Sequence, residues 1–183
     1  MKVEFTTGCI TYNVDIDGEC VMYMPLKTAH EKISYFINNL PDTYNYKIEI
    51  LEGILSTLIT ECKQMSEMDV KYGSEHDENL VVNLISTKSY RIRIFYDSVT
   101  YKEWITINNK CDFDENDFEF LKHVLLELID EFIEHPVSNE EHVIMTILNK
   151  IIGTIMFNFG ILEDISKPCE CCGDTIDTYV LEL

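Results

Sequence analysis

The sequence predicts an α+β fold: an N-terminal β-hairpin, two helices, an antiparallel β-meander, two long C-terminal helices and a final strand. Asp17 and Gly18 sit between β-rich runs, a strong local hairpin signal. Apolar residues recur at helical spacing in four separate segments. Between the second and third of these the period shifts to the alternation of a half-buried strand. The order ββ, αα, βββ, αα, β favours an antiparallel sheet covered by helices over parallel βαβ units.

Cys9, Ile10, Tyr12, Val14 and Ile16 approach the turn, and Val21, Tyr23 and Met24 lead away from it as the second arm. Thr28 and Glu31 have capping-box spacing and open a short helix with Ile33, Phe36, Ile37 and Leu40 inward, before Pro41. Ile48, Leu51, Leu55, Leu58 and Cys62 give the second helix, from about Tyr44 to Met65. The polar segment Ser66 to Glu78 reads as a loop around at most one short strand. Leu80 to Ile85, Tyr90 to Tyr96 and Trp104 to Ile107 are β-rich.

Phe118, Leu121, Val124, Leu125, Leu128, Phe132 and Ile133 then make a helical stripe that ends near His135 and Pro136. Ser138 and Glu141 supply a second capping box, for a helix whose apolar residues from Val143 to Phe159 run almost all round it, a central position. Gly160 is placed to stop it, and Thr178 to Leu181 can form the last strand.

A length of 183 residues fits a single domain. If it is subdivided, 1–110 is the mixed part with the sheet, and 111–183 an acidic helical pair with a cysteine-rich turn and strand. The seven cysteines are odd in number and the first five residues contain no signal-peptide core, so reduced thiols and a cytoplasmic location are expected. The apolar stretch Ile151 to Leu162 is shorter than the ~20 residues a bilayer span needs.

The formal charge is −19, from 33 acids and 14 Lys and Arg. Residues 1–110 carry 16 acids and 11 bases, whereas 111–183 carry 17 acids and three bases. Such a field repels nucleic-acid phosphates and attracts a basic partner in a salt-sensitive way. Direct nucleic-acid binding is therefore disfavoured.

Five carboxylates crowd the segment before the third helix: Asp112, Asp114, Glu115, Asp117 and Glu119. Counted as a calcium loop from Asp112, the sixth residue is Asp117 where Gly is required, and the twelfth is His123 where Glu is required. A helix N-terminus, with Asp114 or Asn116 as cap, explains the run more simply. Glu127, Asp130, Glu131 and Glu134 extend the acids along the same helix, where Lys122 is the one base, and Glu140 and Glu141 open the next. A row of carboxylates on a rigid helix has the electrostatics of a phosphate backbone and can enter a basic nucleic-acid channel of another protein.

Cys169 and Cys172, followed by Gly173, have the local form of a zinc knuckle, and Cys171 lies between them. That is half of a zinc site: Cys9, Cys20, Cys62, Cys111, His135 and His142 have no diagnostic spacing, and a second chain is the other source of ligands. No cofactor is called for otherwise. Arg91 and Arg93 share a strand face and read as ion-pair partners of the chain's own carboxylates. Neither G-x-S-x-G, a P-loop nor H-E-x-x-H is present, so no catalytic residue is assigned.

The expected function is that of an acidic, non-enzymatic inhibitor, which occupies the basic surface of a nucleic-acid-binding protein or ribonucleoprotein such as a nuclease or host defence effector. Anti-restriction and anti-CRISPR inhibitors of phage and mobile elements are similar in size and charge, without a shared motif. An immunity protein against a basic nuclease toxin has the same signature. A metal-dependent enzyme, or a zinc-stabilised docking protein using the last strand as an edge, is the alternative from another class. A homodimer fits any of these.

Overall fold

Asp17 and Gly18 adopt φ of 54° and 81°, the two left-handed residues of a type I′ hairpin turn, and join β2 (Tyr12–Ile16) to β3 (Glu19–Cys20). This is a computed structural model that describes residues 1–8, 12–41, 47–61, 70–72, 80–97, 99–135, 140–163 and 167–183. The expected hairpin is present, but its second arm is only two residues long. Val21 to Tyr23 leave the ladder for a 3-10 turn, because Val21 and Met24, three apart, both turn inward and are buried. Cys9 and Ile10 lie outside the described residues.

The described residues form two compact units. The terminal unit is Met1–Asn45 with Glu140–Leu183, and the central unit is Tyr46–Asn139.

In the terminal unit the sheet is built on β1 (Lys2–Thr7), which the sequence reading did not foresee, and β10 (Thr175–Glu182), which is longer than the Thr178 to Leu181 expected. They pair antiparallel from Lys2↔Glu182 to Thr7↔Asp177. The strand order is β3-β2-β1-β10-β8, with β8 at Ile161–Leu162, and β9 (Lys167–Pro168) pairs with the start of β10. Val3, Phe5, Val14 and Ile16 point to the core on alternate positions.

Two helices belong to this unit, α1 (Leu26–Asn38) and α4 (Glu141–Phe159). The box expected from Thr28 and Glu31 does not form, since α1 starts two residues before Thr28 with Pro25 as N-cap. The Leu26 N–H instead donates to the Glu141 carboxylate at 3.0 Å, so a residue remote in sequence satisfies the helix start. Glu140 is the N-cap of α4 without a side-chain cap bond; Ser138 lies outside the described residues.

α4 packs against β1, β2, β10 and α1. Gly153 permits the approach: a Cβ there would lie 2.8 Å from the Phe5 ring. By length and composition α4 meets the requirements of a bilayer span, with mean hydropathy 1.3, a property that the shorter stretch read from the sequence did not capture. Its most apolar window is 61% buried, the placement of a core helix.

The central unit contains α2 (Lys47–Glu61), α3 (Phe118–Glu134) and an antiparallel meander in the order β4-β5-β6-β7. The strands are Val70–Tyr72, Leu80–Ser86, Arg91–Asp97 and Lys102–Ile107. Leu51, Ile54, Leu55, Leu58 and Ile59 of α2 are buried, and α2 packs on α3. On one face of β6 and β7 the buried pairs are Ile92↔Ile107 and Ile94↔Ile105. On the other, Phe95 stacks on Trp104 at 5.3 Å. Arg91 and Arg93 lie on that second face, and among the described residues neither forms the expected ion pair.

The chain crosses between units after Asn45 and after Asn139, not at Lys110. Thus the acid-rich segment 111–183 contributes to both. The terminal unit holds 14 acids against five bases and the central unit 19 against nine.

Candidate functional site

The five clustered carboxylates do different jobs. Asp114 is the N-cap of a 3-10 turn, Glu115–Asp117, that leads into α3: its Oδ1 accepts from the Asn116 N–H at 2.8 Å. Asp117 reciprocates by accepting from the Asp114 N–H at 2.9 Å, which completes a capping box. Asp117 also pairs with Lys110. The hydrogen bond from Lys110, then that from the Asp114 backbone, holds the Asp117 carboxyl below its usual range. Both aspartates are therefore spent on local structure. Asp112 and Glu115 are exposed, and Glu119 Oε1 receives the Lys122 ammonium at 2.7 Å.

Lys122 does not interrupt the acidic face of α3 as the linear sequence implies. Its side chain is only 5% exposed and its Nζ lies 5.0 Å from the Phe118 ring centroid, so the stem packs inward while the head reaches Glu119.

Phe118, Leu121, Val124, Leu125, Leu128, Ile129 and Phe132 bury the inner stripe of α3. At ~100° per residue, the opposite arc of roughly 120° presents Glu119, His123, Glu127, Asp130, Glu131 and Glu134. Glu119, His123, Asp130 and Glu134 are exposed; Glu127 and Glu131 are half-buried. From Glu119 to Glu134 the row is about 22 Å long at ~1.5 Å per residue.

A cation from the β5–β6 turn reaches this face. Lys88 Nζ is 3.3 Å from both Glu134 carboxylate oxygens. Its pKa is raised, first by the hydrogen bond to Glu134 and further by the charges of Glu131 and Glu127. Lys88 and Glu134 remain 69% and 52% exposed, so the pair is well solvated. His135 Nε2 approaches Glu131 at 3.9 Å. Lys88 was missed in sequence because it joins the face only through the meander, and His123 was read there only as the twelfth position of a calcium loop, not as a member of this face.

The second candidate is the turn between β9 and β10. Cys169 N–H donates to Asp174 O at 2.7 Å and Gly173 N–H to Cys169 O at 2.8 Å, closing a tight loop. Gly173 has φ of 78°, a left-handed conformation that favours glycine. The loop brings the Sγ atoms of Cys169, Cys171 and Cys172 within 4.8 Å of one another. Cys169 and Cys172 were paired from sequence; the fold adds Cys171, whose Sγ is 2.8 Å from that of Cys169. Cys172 Sγ donates to Asp174 Oδ2 at 3.2 Å.

Cys20 and Cys111 are thiols outside this cluster, His142 lies beside Glu140, and Cys9 and Cys62 fall outside the described residues. A third feature that the sequence reading did not mark is a groove of about 290 Å³ lined by Phe5, Lys150, Gly153, Thr154, Phe157 and neighbours.

No protein-family model matches the chain, and neither a curated protein nor a solved structure matches it.

Proposed function

We propose that the chain is an acidic interaction protein that seats the outer face of α3 against a basic, nucleic-acid-binding surface of a protein or ribonucleoprotein. The observation that supports this reading is the row Glu119, Glu127, Asp130 and Glu134 on one rigid helix, with lysines only at its two ends, where Lys122 reaches Glu119 from the inner side and the solvated Lys88 reaches Glu134. Carboxylates so arranged offer a basic channel the charge it evolved to hold, without the sequence-dependent edges of bases. An inhibitor of a nuclease or defence effector, of the anti-restriction or anti-CRISPR kind, and an immunity protein against a nuclease toxin are two forms of this function. The partner's identity distinguishes them.

The test is capture of partners on the immobilised chain, followed by elution with DNA or RNA and with salt. A basic partner displaced by nucleic acid is the expected result. Replacing Glu127, Asp130, Glu131 and Glu134 together by lysine should weaken that complex at least ~100-fold, since juxtaposed like charges cost several kcal/mol and each ~1.4 kcal/mol is tenfold. Reversal of Glu4, Asp15, Glu19 and Glu31 is the control for bulk charge. Equal losses from both sets, or a complex indifferent to salt, would count against the α3 face.

A further inference from the structure

We infer that the turn Cys169–Asp174 is a zinc site, with Cys169, Cys171 and Cys172 as thiolate ligands and the Asp174 carboxylate as the fourth. Three thiols on a six-residue loop between paired strands are far denser than a chance surface distribution, and a soft or borderline cation is the ligand that such donors take.

Zn–S bonds of ~2.3 Å in a tetrahedron place two sulfurs about 3.8 Å apart. All three Sγ atoms already fall within 4.8 Å, so one ion can reach them with small side-chain rotations. The Cys169 to Cys171 distance of 2.8 Å must open by about 1 Å, a movement available to Cys171 because its side chain is exposed. The Cys172 Sγ to Asp174 Oδ2 distance of 3.2 Å is close to the separation of a sulfur and an oxygen ligand on one zinc. Asp174, beside Cys172 and outside the group of three sulfurs, supplies the fourth position once its side chain turns toward Cys169 and Cys171, where the sequence had offered only scattered residues or a second chain.

The backbone is prepared for this. The two hydrogen bonds between Cys169 and the Gly173–Asp174 end close the loop through main-chain atoms, and Gly173 supplies the left-handed residue after Cys172. Binding then costs little backbone ordering. Zn²⁺ replaces three S–H protons, which pass to solvent, so affinity falls as pH is lowered. A closed set of four ligands makes the site structural and not catalytic.

The experiment uses the reduced full-length chain, with Zn²⁺ competed against a chromophoric chelator and Co²⁺ as a spectroscopic probe. One Zn²⁺ per chain is expected, with thiolate-to-cobalt charge-transfer bands and the intense visible bands of tetrahedral Co²⁺. Cys169→Ser, Cys171→Ser and Cys172→Ser should each weaken Zn²⁺ binding by more than the ~10- to 100-fold that loss of an outer-shell partner costs, and Asp174→Asn by at least ~10-fold. Cys20→Ser and Cys111→Ser should leave it unchanged. Far-UV circular dichroism of the variants, expected to match the parent, separates ligand loss from misfolding.

Unaltered affinity in Cys171→Ser would overturn the three-thiolate assignment. One zinc per two chains with dimer formation would overturn Asp174 as the fourth ligand. Absence of binding, or recovery of a Cys169–Cys171 disulfide from reducing buffer, would overturn the site itself.

Discussion

Asp117 shows how a carboxylate in an acidic protein can act for the fold. It pairs with Lys110 and accepts from the Asp114 N–H, and its pKa is depressed by those two contacts in that order. A depressed carboxyl stabilises the native state above its unfolded value of ~3.9, and that contribution disappears as pH falls through the lower folded value. Glu52 works in the opposite sense. Burial, then the charge of Glu49, raises its pKa, so its contribution is complete below ~4.3 and is lost as pH rises through the folded value. Asp117→Asn should therefore be less stable than the parent at pH 7 and lose less stability than the parent when acidified below about pH 4. Urea midpoints at both pH values test this, and parallel losses in parent and variant would reject it. The capping role of Asp114 was legible in the sequence because a cap acts within three residues. The ion pair to Lys110 was not, since it depends on how the chain returns after β7.

At the scale of elements, the interior of α4 was readable from its nearly continuous apolar periphery, and its burial against β1, β2 and β10 agrees. The contact that sets its distance from the sheet was not readable. Gly153 faces the Phe5 ring so closely that a methyl group would meet it at 2.8 Å. Gly153→Val should cost roughly 1–3 kcal/mol, the range for overpacking. In a Phe5→Leu background, Gly153→Ala should instead recover part of the ~1 kcal/mol that glycine forfeits in a helix. Urea unfolding of the double-mutant set measures the coupling, and additive changes would refute the close approach.

The same scale explains the capping boxes. Thr28 with Glu31 had the right spacing, but α1 begins at Leu26, whose N–H is met by Glu141 across the terminal unit. Local signals fail where a remote partner satisfies the same donor. The acids of α3 behave the other way: their common face follows from helix periodicity alone, whereas the inward turn of Lys122 and the arrival of Lys88 required the packed structure.

Across the whole molecule, the charge of −19 must oppose folding through self-repulsion. The fold distributes it between units that carry 14 acids to five bases and 19 to nine, so neither escapes the effect. Raising KCl from ~0.01 M to ~0.15 M shortens the Debye length from ~30 Å to ~8 Å. A gain of about 1 kcal/mol from that screening would raise the thermal midpoint by ~2–4 °C. A midpoint that is flat or falls over this range would contradict the prediction.

Class, the four helices, the meander and the acidic row were determined by the sequence itself, because periodicity, turn chemistry and charge act over a few residues. β1 escaped notice because its six residues become a central strand only when β10 arrives from the other end of the chain. The two-unit division was decided by tertiary structure alone, whereas Cys169, Cys171, Cys172 and Asp174 were already neighbours in the sequence and only the approach of their side chains was left to the conformation of the turn. Both depend on which distant segments, or which side chains within a folded turn, come to share the same space, and linear spacing does not specify that.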